Sequence, residues 1–398
     1  MIIKEHPEDF RVEERIDLVW DLEPGPFRLY TLEKRSWNTT DAFQAAARAT
    51  GIPWGVIRYG GKKDRQACTV QYGTTPAAFD LSFQRHNVRV TPVGFAPTPM
   101  GPRHVKGNKF DVVMRRGEKG HGELLGQRWE EMERHGELNY FDDQRFGGVS
   151  SSGAFFAEFV VRKDFSGALR HHMTSHHPEA SPAIRRRKRS MDRMWGDWRA
   201  LRSLAVTPEE REMVGCCLAN PGERGILEAL GLLSRETWGL YLSSFQSALW
   251  NEALALMVRR SSEPLWSLRG KVTSLPFFRH KGAEGAWRSM EIPMPSPELS
   301  QSDDEGSRAV GEVLRGRGLK PEDFILAPSF RAHFASFFRS AVVVPQEGTW
   351  GLSDDDRHPG YDKGRASFFL PAGSYATLIL RSLQYSIPGP SSDGPEPE

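Results

Sequence analysis

Residues 60–71 read Gly-Gly-Lys-Lys-Asp-Arg-Gln-Ala-Cys-Thr-Val-Gln, a charged turn that runs directly into an alternating apolar and polar stretch. Such alternation is typical of a half-buried strand, so we predict that a strand begins at Cys68. Asp64 lies in the turn between Lys63 and Arg65, and both cations favour the ionised form of its carboxyl group. Taken alone, these three residues are more typical of an ion pair at a protein surface.

Outward from this turn, both ends of the chain carry strand patterns and the middle does not. Apolar residues alternate with charged ones near the N-terminus, and Ala42–Ala49 is predicted to form a helix that Thr40 caps and Gly51 closes. Strands are predicted again at 341–344 and 367–370, whereas the middle of the chain has helical periodicity. The two ends are therefore predicted to build one sheet, with the middle emerging as a second domain.

The composition is that of an ordinary globular protein. The 398 residues include 53 Lys+Arg and 51 Asp+Glu, and 38% are hydrophobic, so the chain can bury a large core. The formal net charge of +2 is weak evidence against a dedicated nucleic-acid binder. No run approaches the ~18 apolar residues of a membrane span, and the charged N-terminus argues against a secretory signal. Three cysteines form neither a disulfide framework nor a metal pair, so a cytoplasmic protein is expected.

No cofactor or metal motif is evident in the sequence. The Gly-Gly-Lys-Lys run at 60–63 lacks the Ser or Thr of a phosphate-binding P-loop, and no GxGxxG, GxSxG or HExxH pattern occurs. Four histidines lie within 171–177, two of them at i, i+4 spacing. No acidic or Cys residue stands at ligand spacing from them, so a solvated polar face explains them better than a metal site. We therefore expect neither a cofactor nor a metal.

The segment 185–202 is a dense run of positive charge. It carries eight basic residues in eighteen, beginning with Arg185, Arg186 and Arg187, together with two tryptophans and only two acids. Arginines interleaved with aromatic side chains suit a surface that follows phosphates and stacks bases. A solvated basic face or a disordered loop is the alternative, and composition alone does not separate the two interpretations.

The residues around Asp64 belong to a longer pattern that resembles the TruD family of tRNA pseudouridine synthases. Gly61–Gln71 is similar to the family's GxKDRxAxTxQ signature. Four more family motifs have counterparts in the same order along the chain, at Ile3–Glu14, Gly107–Phe110 with Arg115, Asn139–Gly147, and Leu370–Thr377 with Arg381. Phe245–Asn251 also resembles the family's QSxxFN helix. Five collinear motifs are far more specific than any one of them, whereas 160–235 and 260–335 match poorly.

The resemblance implies an α+β fold, in which a pseudouridine-synthase catalytic domain with a mixed, largely antiparallel sheet is interrupted by an inserted α/β TRUD domain. We expect the catalytic domain at 1–150 and 341–386, the inserted domain at 151–340 and a disordered tail at 387–398. The implied reaction is isomerisation of uridine to pseudouridine in tRNA, at uridine 13 of the D-arm, with a catalytic aspartate and no cofactor. The expected partner is the tRNA substrate, with no membrane, no protein partner and a monomeric state.

The chemistry needs few groups, and the motifs supply them. The reaction moves the bond between the base and its ribose from atom N1 to atom C5 of the uracil. This requires an ionised carboxylate and an aromatic surface for a base removed from its stack. By resemblance Asp64 is catalytic, and the positions that contact the substrate or lie beside it are Phe10, Asn139, Tyr375, Lys63, Phe141 and Lys4. Predicted contacts to RNA phosphates are Arg65, Arg145, Arg185, Arg186 and Arg187. As alternatives, the three aromatic residues suit a core and Asn139 suits a turn cap.

Two positions depart from the family pattern. Asp142 stands where the family has Gly, so a turn that depends on positive φ would be reshaped there. Lys62 replaces an apolar residue and adds charge beside the Asp64 turn. Neither change removes a group that the chemistry needs. Two alternatives stay open: a catalytically silent tRNA-binding or tRNA-folding protein of the same fold, and a synthase that acts on another tRNA position or on mRNA.

Overall fold

The computed structural model describes residues 1–146, 153–176, 180–261, 265–278, 287–299 and 303–385. Two compact units make up the chain, one formed by Met1–Glu137 with Val343–Glu398 and the other by Leu138–Val342. The first unit is thus built from two separate stretches of sequence, and the second is continuous. The predicted disordered tail at 387–398 lies outside the described residues. In the described part of the chain, no helix has the length and apolar character needed to cross a membrane.

A mixed sheet is the framework of the first unit. Its strands are β1 (Ile2–Ile3), β2 (Phe10–Ile16), β3 (Phe27–Arg35), β4 (Arg58–Tyr59), β5 (Cys68–Pro76), β6 (Phe83–Arg85), β7 (Val88–Ala96), β8 (Val105–Gly117), β15 (Gln346–Asp354) and β16 (Asp362–Pro371). The strand order is β15-β16-β8-β2-β5-β3-β7-β6, with β1 beside β8 and β4 beside β5. Strands β2 and β5 run parallel, and the other pairs described in this sheet are antiparallel. The α+β class and the mixed, largely antiparallel sheet are therefore confirmed.

Three helices cover one face of this sheet: α1 (Thr39–Thr50), α2 (Gly122–His135) and α11 (Ala376–Tyr385). Successive side chains of a strand point to opposite faces, and in β2 this buries Phe10 and Val12 and exposes Arg11. Phe10 and Val12 share a hydrophobic cluster with Trp129 of α2 and Leu380 of α11. The alternation predicted for the N-terminal strands thus decides which side chains face the helices.

Helix α1 begins earlier than the sequence predicts. Its N-cap is Asn38 rather than Thr40, and the Asn38 side-chain amide donates a hydrogen bond to Asp41 Oδ2 at 2.8 Å. The helix ends, as predicted, at Gly51, whose φ of 70° favours glycine. The earlier start places Thr39 in the first helical turn, where it takes part in the site described below.

Helices dominate the second unit. They are α3 (Phe156–Val161), α4 (Phe165–Thr174), α5 (Pro182–Arg193), α6 (Trp198–Leu204), α7 (Pro208–Ala219), α8 (Glu223–Gly231), α9 (Arg235–Arg260) and α10 (Glu305–Gly316). Short strands complete it, namely β10 (Leu265–Arg269), β11 (Ser274–Phe278), β12 (Glu291–Pro293) and β13 (Phe338–Ser340), while β9 (Glu137–Leu138) and β14 (Val342–Val343) lie where the chain passes between units. Helix α9 is the longest described helix and is buried over much of its length.

Four of the sequence motifs lie on the neighbouring strands β16, β8, β2 and β5. Gly107 of β8 is paired with Pro371 of β16 on one side and with Arg15 of β2 on the other. A Cβ atom at Gly107 would lie 2.2 Å from the Leu370 carbonyl oxygen and 2.5 Å from the Phe369 ring, so this position requires glycine. The sheet therefore brings the N-terminal, central and C-terminal motifs side by side.

Arg115 of β8 ties the N-terminal motif to the C-terminal stretch. Its Nε and Nη2 donate to the two carboxylate oxygens of Asp9 at 2.9 and 2.8 Å, and its Nη1 donates to Asp355 Oδ1 at 3.0 Å. All three side chains are buried. Buried charges are tolerated only when they are paired, so each partner depends on the others.

Candidate active site

The turn that carries Asp64 is held in place by hydrogen bonds to a helix and a strand. The Lys63 backbone N–H donates to the Thr39 hydroxyl at 2.9 Å, and that hydroxyl donates to Gln71 Oε1 at 2.7 Å. Gln71 Nε2 in turn donates to the Gly61 carbonyl oxygen at 3.0 Å. Thr39 belongs to the first turn of α1 and Gln71 to β5, so a helix and a strand together hold the part of the loop that precedes Asp64.

The Asp64 carboxylate pairs with Lys4, which is distant in sequence. Lys4 Nζ lies 2.6 Å from Asp64 Oδ2 and 4.0 Å from the centre of the Phe10 ring. Lys4 has a φ of 61°, a conformation that residues other than glycine rarely adopt and that is often found at functional sites. The side chain of Asp64 is 32% exposed and that of Lys4 is 16% exposed. The carboxylate is thus open to a ligand while its counterion is largely covered.

The two cations next to Asp64 in sequence do not hold its carboxylate. Lys63 Nζ lies 2.5 Å from Glu14 Oε1, and both of these side chains are buried. Glu14 Oε2 also accepts a hydrogen bond from the Tyr72 backbone N–H at 3.0 Å. Arg65 is exposed. Although Lys63 and Arg65 flank Asp64 in sequence, its carboxylate pairs with Lys4, because neighbouring residues of a turn point in different directions.

Lys34 is a residue of the site that the sequence motifs do not identify. It lies on β3, is buried, and donates from Nζ to the Asp64 backbone carbonyl oxygen at 2.7 Å. Burial lowers the pKa of Lys34 to about 8, although the nearby Asp64 carboxylate acts in the opposite direction. Tyr30 and Leu32 lie on the same buried face of the strand, so a lysine in this apolar alternation is the signal that could have revealed it.

Phe10 and Tyr375 also lie in the first unit. Phe10 is 1% exposed and packs edge-to-face against Phe110, with ring centres 5.9 Å apart, as the core interpretation expects. Tyr375 is half-buried and stands immediately before α11, where its carbonyl oxygen accepts the Ile379 backbone N–H. The structure thus places Lys4 in contact with both Asp64 and Phe10, and it places Tyr375 at the start of a helix.

In the second unit, Asn139 is buried and fully engaged. Its Nδ2 donates to the Ser340 carbonyl oxygen at 3.1 Å, and Arg339 Nη2 donates to its Oδ1 and to its carbonyl oxygen, both at 2.7 Å. Arg339 is itself only 8% exposed, and its guanidinium lies 4.0 Å from the centre of the Phe141 ring. Arg339 is a further residue that the sequence analysis misses, and it links two predicted site positions.

Phe141 and Arg145 are positioned by helix α9. Asn251 Oδ1 accepts the Phe141 backbone N–H at 2.8 Å, and Asn251 Nδ2 donates to the Phe141 carbonyl oxygen at 2.8 Å. Arg145 Nε donates to the Ser247 hydroxyl at 3.2 Å. Asn251 and Ser247 both belong to the motif at Phe245–Asn251, so this motif holds the motif at 139–147 in place.

Asp142 does not need the backbone freedom of the glycine it replaces. It is not among the residues with positive φ, and its Oδ1 accepts the Asp143 backbone N–H at 2.8 Å. A conformation open to all residues therefore accommodates the substitution, and the carboxylate caps the following turn.

The three predicted phosphate contacts on α5 have different surroundings. Arg186 is exposed and Arg185 is half-buried. Arg187 instead donates to both carboxylate oxygens of Glu210 at 2.9 and 3.0 Å, and Lys188 donates to Glu210 Oε1 at 2.8 Å. Burial alone would raise the pKa of Glu210, but hydrogen bonds from Lys188 and the Val206 backbone lower it to about 2. On this side of α5, Glu210 therefore pairs with the positive charges of Arg187 and Lys188.

Two of the clustered histidines have structural partners. His171 Nε2 lies 3.0 Å from the Ala154 carbonyl oxygen, and His172 contacts the Tyr241 hydroxyl at 2.9 Å and Glu209 Oε1 at 3.0 Å. Within the described ranges, no group of three or more His, Cys, Asp or Glu side chains is arranged to hold a metal ion. His177 lies outside the described residues.

A groove of about 920 Å³ lies over the sheet face that the helices leave open. Arg11, Glu33, Lys109 and Asp111 are among the residues that line it. Asp111 is paired in register with Arg11 on the next strand, and Glu33 with Arg89, so opposite charges face each other across strands. Such pairs are typical of a solvated sheet face, and Asp64 does not line this groove.

Comparison with known proteins gives consistent similarities. The family model described as tRNA pseudouridine synthase D (TruD) matches residues 1–270 and 279–383. The tRNA pseudouridine synthase D of Aquifex aeolicus is 28% identical over 96% of this chain and 97% of its own length. That of Leptospira interrogans is 26% identical, over 96% and 95%. A TruD crystal structure from Methanosarcina mazei matches the fold with a TM-score of 0.69 at 20% identity, covering 96% of this chain and 93% of its own.

Proposed function

This chain belongs to the TruD family of tRNA pseudouridine synthases, and we propose that it isomerises uridine 13 of the tRNA D-arm, with Asp64 as the catalytic carboxylate and without a cofactor. The family membership confirms the resemblance drawn from the five motifs and makes the protein an isomerase. The target position, the catalytic residue and the independence from a cofactor are the parts that we propose.

The observation that carries the proposal is the placement of the Asp64 carboxylate. It is partly exposed, Lys4 Nζ lies 2.6 Å from it, and Thr39 and Gln71 hold the turn that carries it. A carboxylate that is held in place and reachable is what attack or proton abstraction at a ribose requires. Lys4 and Asp64 come from two motifs that lie far apart in sequence, so the fold is needed to assemble the pair.

The proposed reaction is an internal rearrangement with balanced atoms. The N1–C1′ bond of uridine breaks, the uracil turns while it stays bound, and a C5–C1′ bond forms. The proton on C5 leaves, and N1 takes up a proton. Asp64 acts at the ribose, either as the nucleophile at C1′ or as the base that removes a ribose proton. No electron acceptor and no group donor takes part.

Reaching the base requires that the uridine leaves its stack. Enzymes that act on a base hold the extruded nucleotide between side chains of a pocket. We propose Tyr375, Phe10 and Phe141 as aromatic contacts and Asn139 as a polar contact. Tyr375 is half-buried, whereas Phe10 and Phe141 are enclosed in this structure. Support is therefore strongest for Tyr375, because its side chain is more exposed than those of Phe10 and Phe141.

The function is tested by release of tritium from tRNA labelled at uridine C5. Since the C5 proton leaves in the reaction, we expect wild-type protein to release tritium in proportion to the pseudouridine formed. A heat-inactivated sample is the control. Absence of release from bulk tRNA by folded wild-type protein would remove the enzymatic proposal and favour the silent tRNA-binding protein. Release without modification of uridine 13 would favour another tRNA position.

We propose that the exposed arginines of α5 contact RNA phosphates. Arg186, Arg189 and Arg193 are exposed and spaced by three and four residues, which places them on one face of the helix. None of the three has an ion-pair partner among the described residues. Trp195 and Trp198 follow at once, with ring centres 5.0 Å apart. Unpaired arginines beside accessible aromatic rings support binding of phosphates and bases.

This proposal predicts a change in the salt dependence of tRNA binding. Replacing Arg186, Arg189 and Arg193 together by Ala should make the negative slope of log K against log salt shallower by about two to three, since each lost phosphate contact removes about 0.7–0.9 from its magnitude. Arg224→Ala, which removes an exposed arginine paired with Glu228, is the control. An unchanged slope in the triple variant would place this helix face away from the RNA.

The other predicted phosphate contacts have less support from the structure. Arg187 is engaged by Glu210, so its contact with phosphate stays a prediction with less support than that of Arg185 and Arg186. Contacts of Arg65 and Arg145 with phosphates also stay predictions.

We propose that the two units correspond to the catalytic and inserted domains, and that the protein acts as a monomer in the cytoplasm.

A further inference from the structure

Lys34 is a buried cation that the reaction as described above does not use. Its residue is 3% exposed, and its Nζ donates to the Asp64 carbonyl oxygen at 2.7 Å. An ammonium group has three donors, and within the described residues this is the hydrogen bond that the group makes. A lysine that is buried with one partner lowers the stability of the fold, because desolvation of a charge is costly.

Thr69, the cross-strand neighbour of Lys34, has an equally unusual hydroxyl. Lys34 of β3 and Thr69 of β5 face each other in the antiparallel register. The Thr69 hydroxyl is buried, and in the part of the chain that the structure describes it has no hydrogen-bond partner. Two under-satisfied polar groups therefore lie side by side next to the Asp64 turn. Such costly groups are retained mainly where a function depends on them.

We propose that Lys34 is a positioning residue of the isomerisation, whose charged amino group fixes the backbone of Asp64 and so aims its carboxylate at the ribose. This inference rests on the proposed function. Thr39 and Gln71 hold the residues before Asp64, at Lys63 and Gly61, and Lys34 holds the carbonyl of Asp64 itself. Lys4 then sets the direction of the side chain. Without Lys34, the Asp64 carbonyl oxygen loses the hydrogen bond that holds it.

The charge of the Lys34 amino group depends on pH, so we expect its positioning of Asp64 to depend on pH as well. Burial lowers the pKa of Lys34 to about 8; among its neighbours the Asp64 carboxylate acts to raise this pKa, Lys63 acts to lower it, and Cys68 of β5 raises it only as a thiolate. Val88, which faces Lys34 from β7, does not titrate. Lys34 is therefore charged below about pH 8 and loses its charge above it. We expect kcat to fall as the pH rises through about 8.

The test compares Lys34→Met, Lys34→Arg and a control on the same sheet. Lys34→Met keeps an unbranched side chain of similar length and removes the charge. Lys106→Met, at a largely exposed lysine of β8, is the matched control. We expect Lys34→Met to lower kcat about 10- to 100-fold with KM within about threefold, because misplacement of a reacting group costs such factors. Its Tm should not fall at pH 7, because a buried charge has been removed. Lys106→Met should retain the wild-type kcat.

The pH profile separates positioning from a purely structural role. In wild-type protein the alkaline loss of kcat is centred near pH 8. It should be absent in Lys34→Met and displaced to higher pH in Lys34→Arg, whose guanidinium stays charged. An unchanged kcat in folded Lys34→Met, or the same alkaline loss in both variants, would overturn the inference. If Lys34→Met does not fold, wild-type protein and Lys34→Arg decide the question through the same profile.

A failure of the proposed function is distinguishable from a failure of this inference. If wild-type protein forms no pseudouridine, the proposed function fails before any variant is compared. If wild-type protein is active and the Lys34 variants match it in kcat and in pH profile, only the role of Lys34 is wrong.

Discussion

Asp64→Asn should lower kcat by at least about 10³-fold while tRNA binding stays within about threefold of wild type. Asparagine has nearly the same shape as aspartate and can still accept a hydrogen bond from Lys4. It has no charge, however, and serves neither as nucleophile nor as base at the ribose. Single-turnover tritium release, measured at saturating enzyme, reports the chemical step separately from binding.

Asp111→Asn is the matched control for this variant. Asp111 is also an aspartate of the first unit, its side chain is 29% exposed, and Arg365 Nε donates to it at 2.9 Å. It lies on the other face of the sheet, so its replacement should leave kcat within about twofold of wild type. Asp64→Asn activity above about one-tenth of wild type would show that this carboxylate does not perform the chemistry.

Arg115→Met should lower the free energy of unfolding by about 3–5 kcal/mol, the cost of leaving buried carboxylates without their partner. Asp9 and Asp355 would both lose the guanidinium that now lies between them. For a unit of this size the change corresponds to a fall in Tm of about 10 °C. Thermal unfolding followed by circular dichroism measures the effect.

The neighbouring residue supplies the control for Arg115→Met. Arg116 is about half-exposed, and its ion pair with Glu5 has a distance of 3.5 Å, so Arg116→Met should change stability by less than about 1 kcal/mol. Equal losses in the two variants would contradict the account of the buried network.

The effect of Arg115→Met should also depend on pH. Burial alone would raise the pKa of Asp355, but hydrogen bonds from the Arg116 and Arg357 backbones and from the Arg115 guanidinium lower it below its usual value. A carboxyl group with a lowered pKa adds stability above its unfolded-state pKa, and this stability is lost as the pH falls. The difference between wild type and Arg115→Met is therefore expected to be full at pH 7 and to narrow below about pH 4.

The sequence was sufficient to predict the class of the sheet, whereas the catalytic role of Asp64 stays a prediction. The alternation of apolar and charged residues near the N-terminus predicted strands there, because one face of such a strand is buried. Asp64 was identified from its motif, and Lys4 was named as its neighbour. The motif did not show which cation pairs with the Asp64 carboxylate. Lys63 is next to Asp64 in sequence, but its amino group pairs with Glu14 of β2.

Residues that act through backbone contacts were harder to predict. Thr39 and Arg339 contact the site positions through a hydroxyl and a guanidinium whose partners are known only after folding. Arg339 also lies outside the matched motifs. Lys34 did leave a signal, since it interrupts a buried apolar alternation, but the same pattern also fits a lysine at the edge of a sheet.

Net charge proved a poor guide to an RNA partner. The value of +2 averages acidic and basic segments over the whole chain. On α5, Arg187 is neutralised by Glu210 whereas Arg186 on the other face is exposed. The arrangement of charge on one helix, rather than its sum, supports the proposed contact with phosphates.

The most direct test of the account is to map pseudouridine at single-nucleotide resolution in an unmodified tRNA transcript after treatment with wild-type protein and with Asp64→Asn. We predict one new pseudouridine, at position 13, with wild-type protein and none with Asp64→Asn at equal tRNA occupancy. A transcript left unmodified by folded wild-type protein, or modified equally by both proteins, would contradict it.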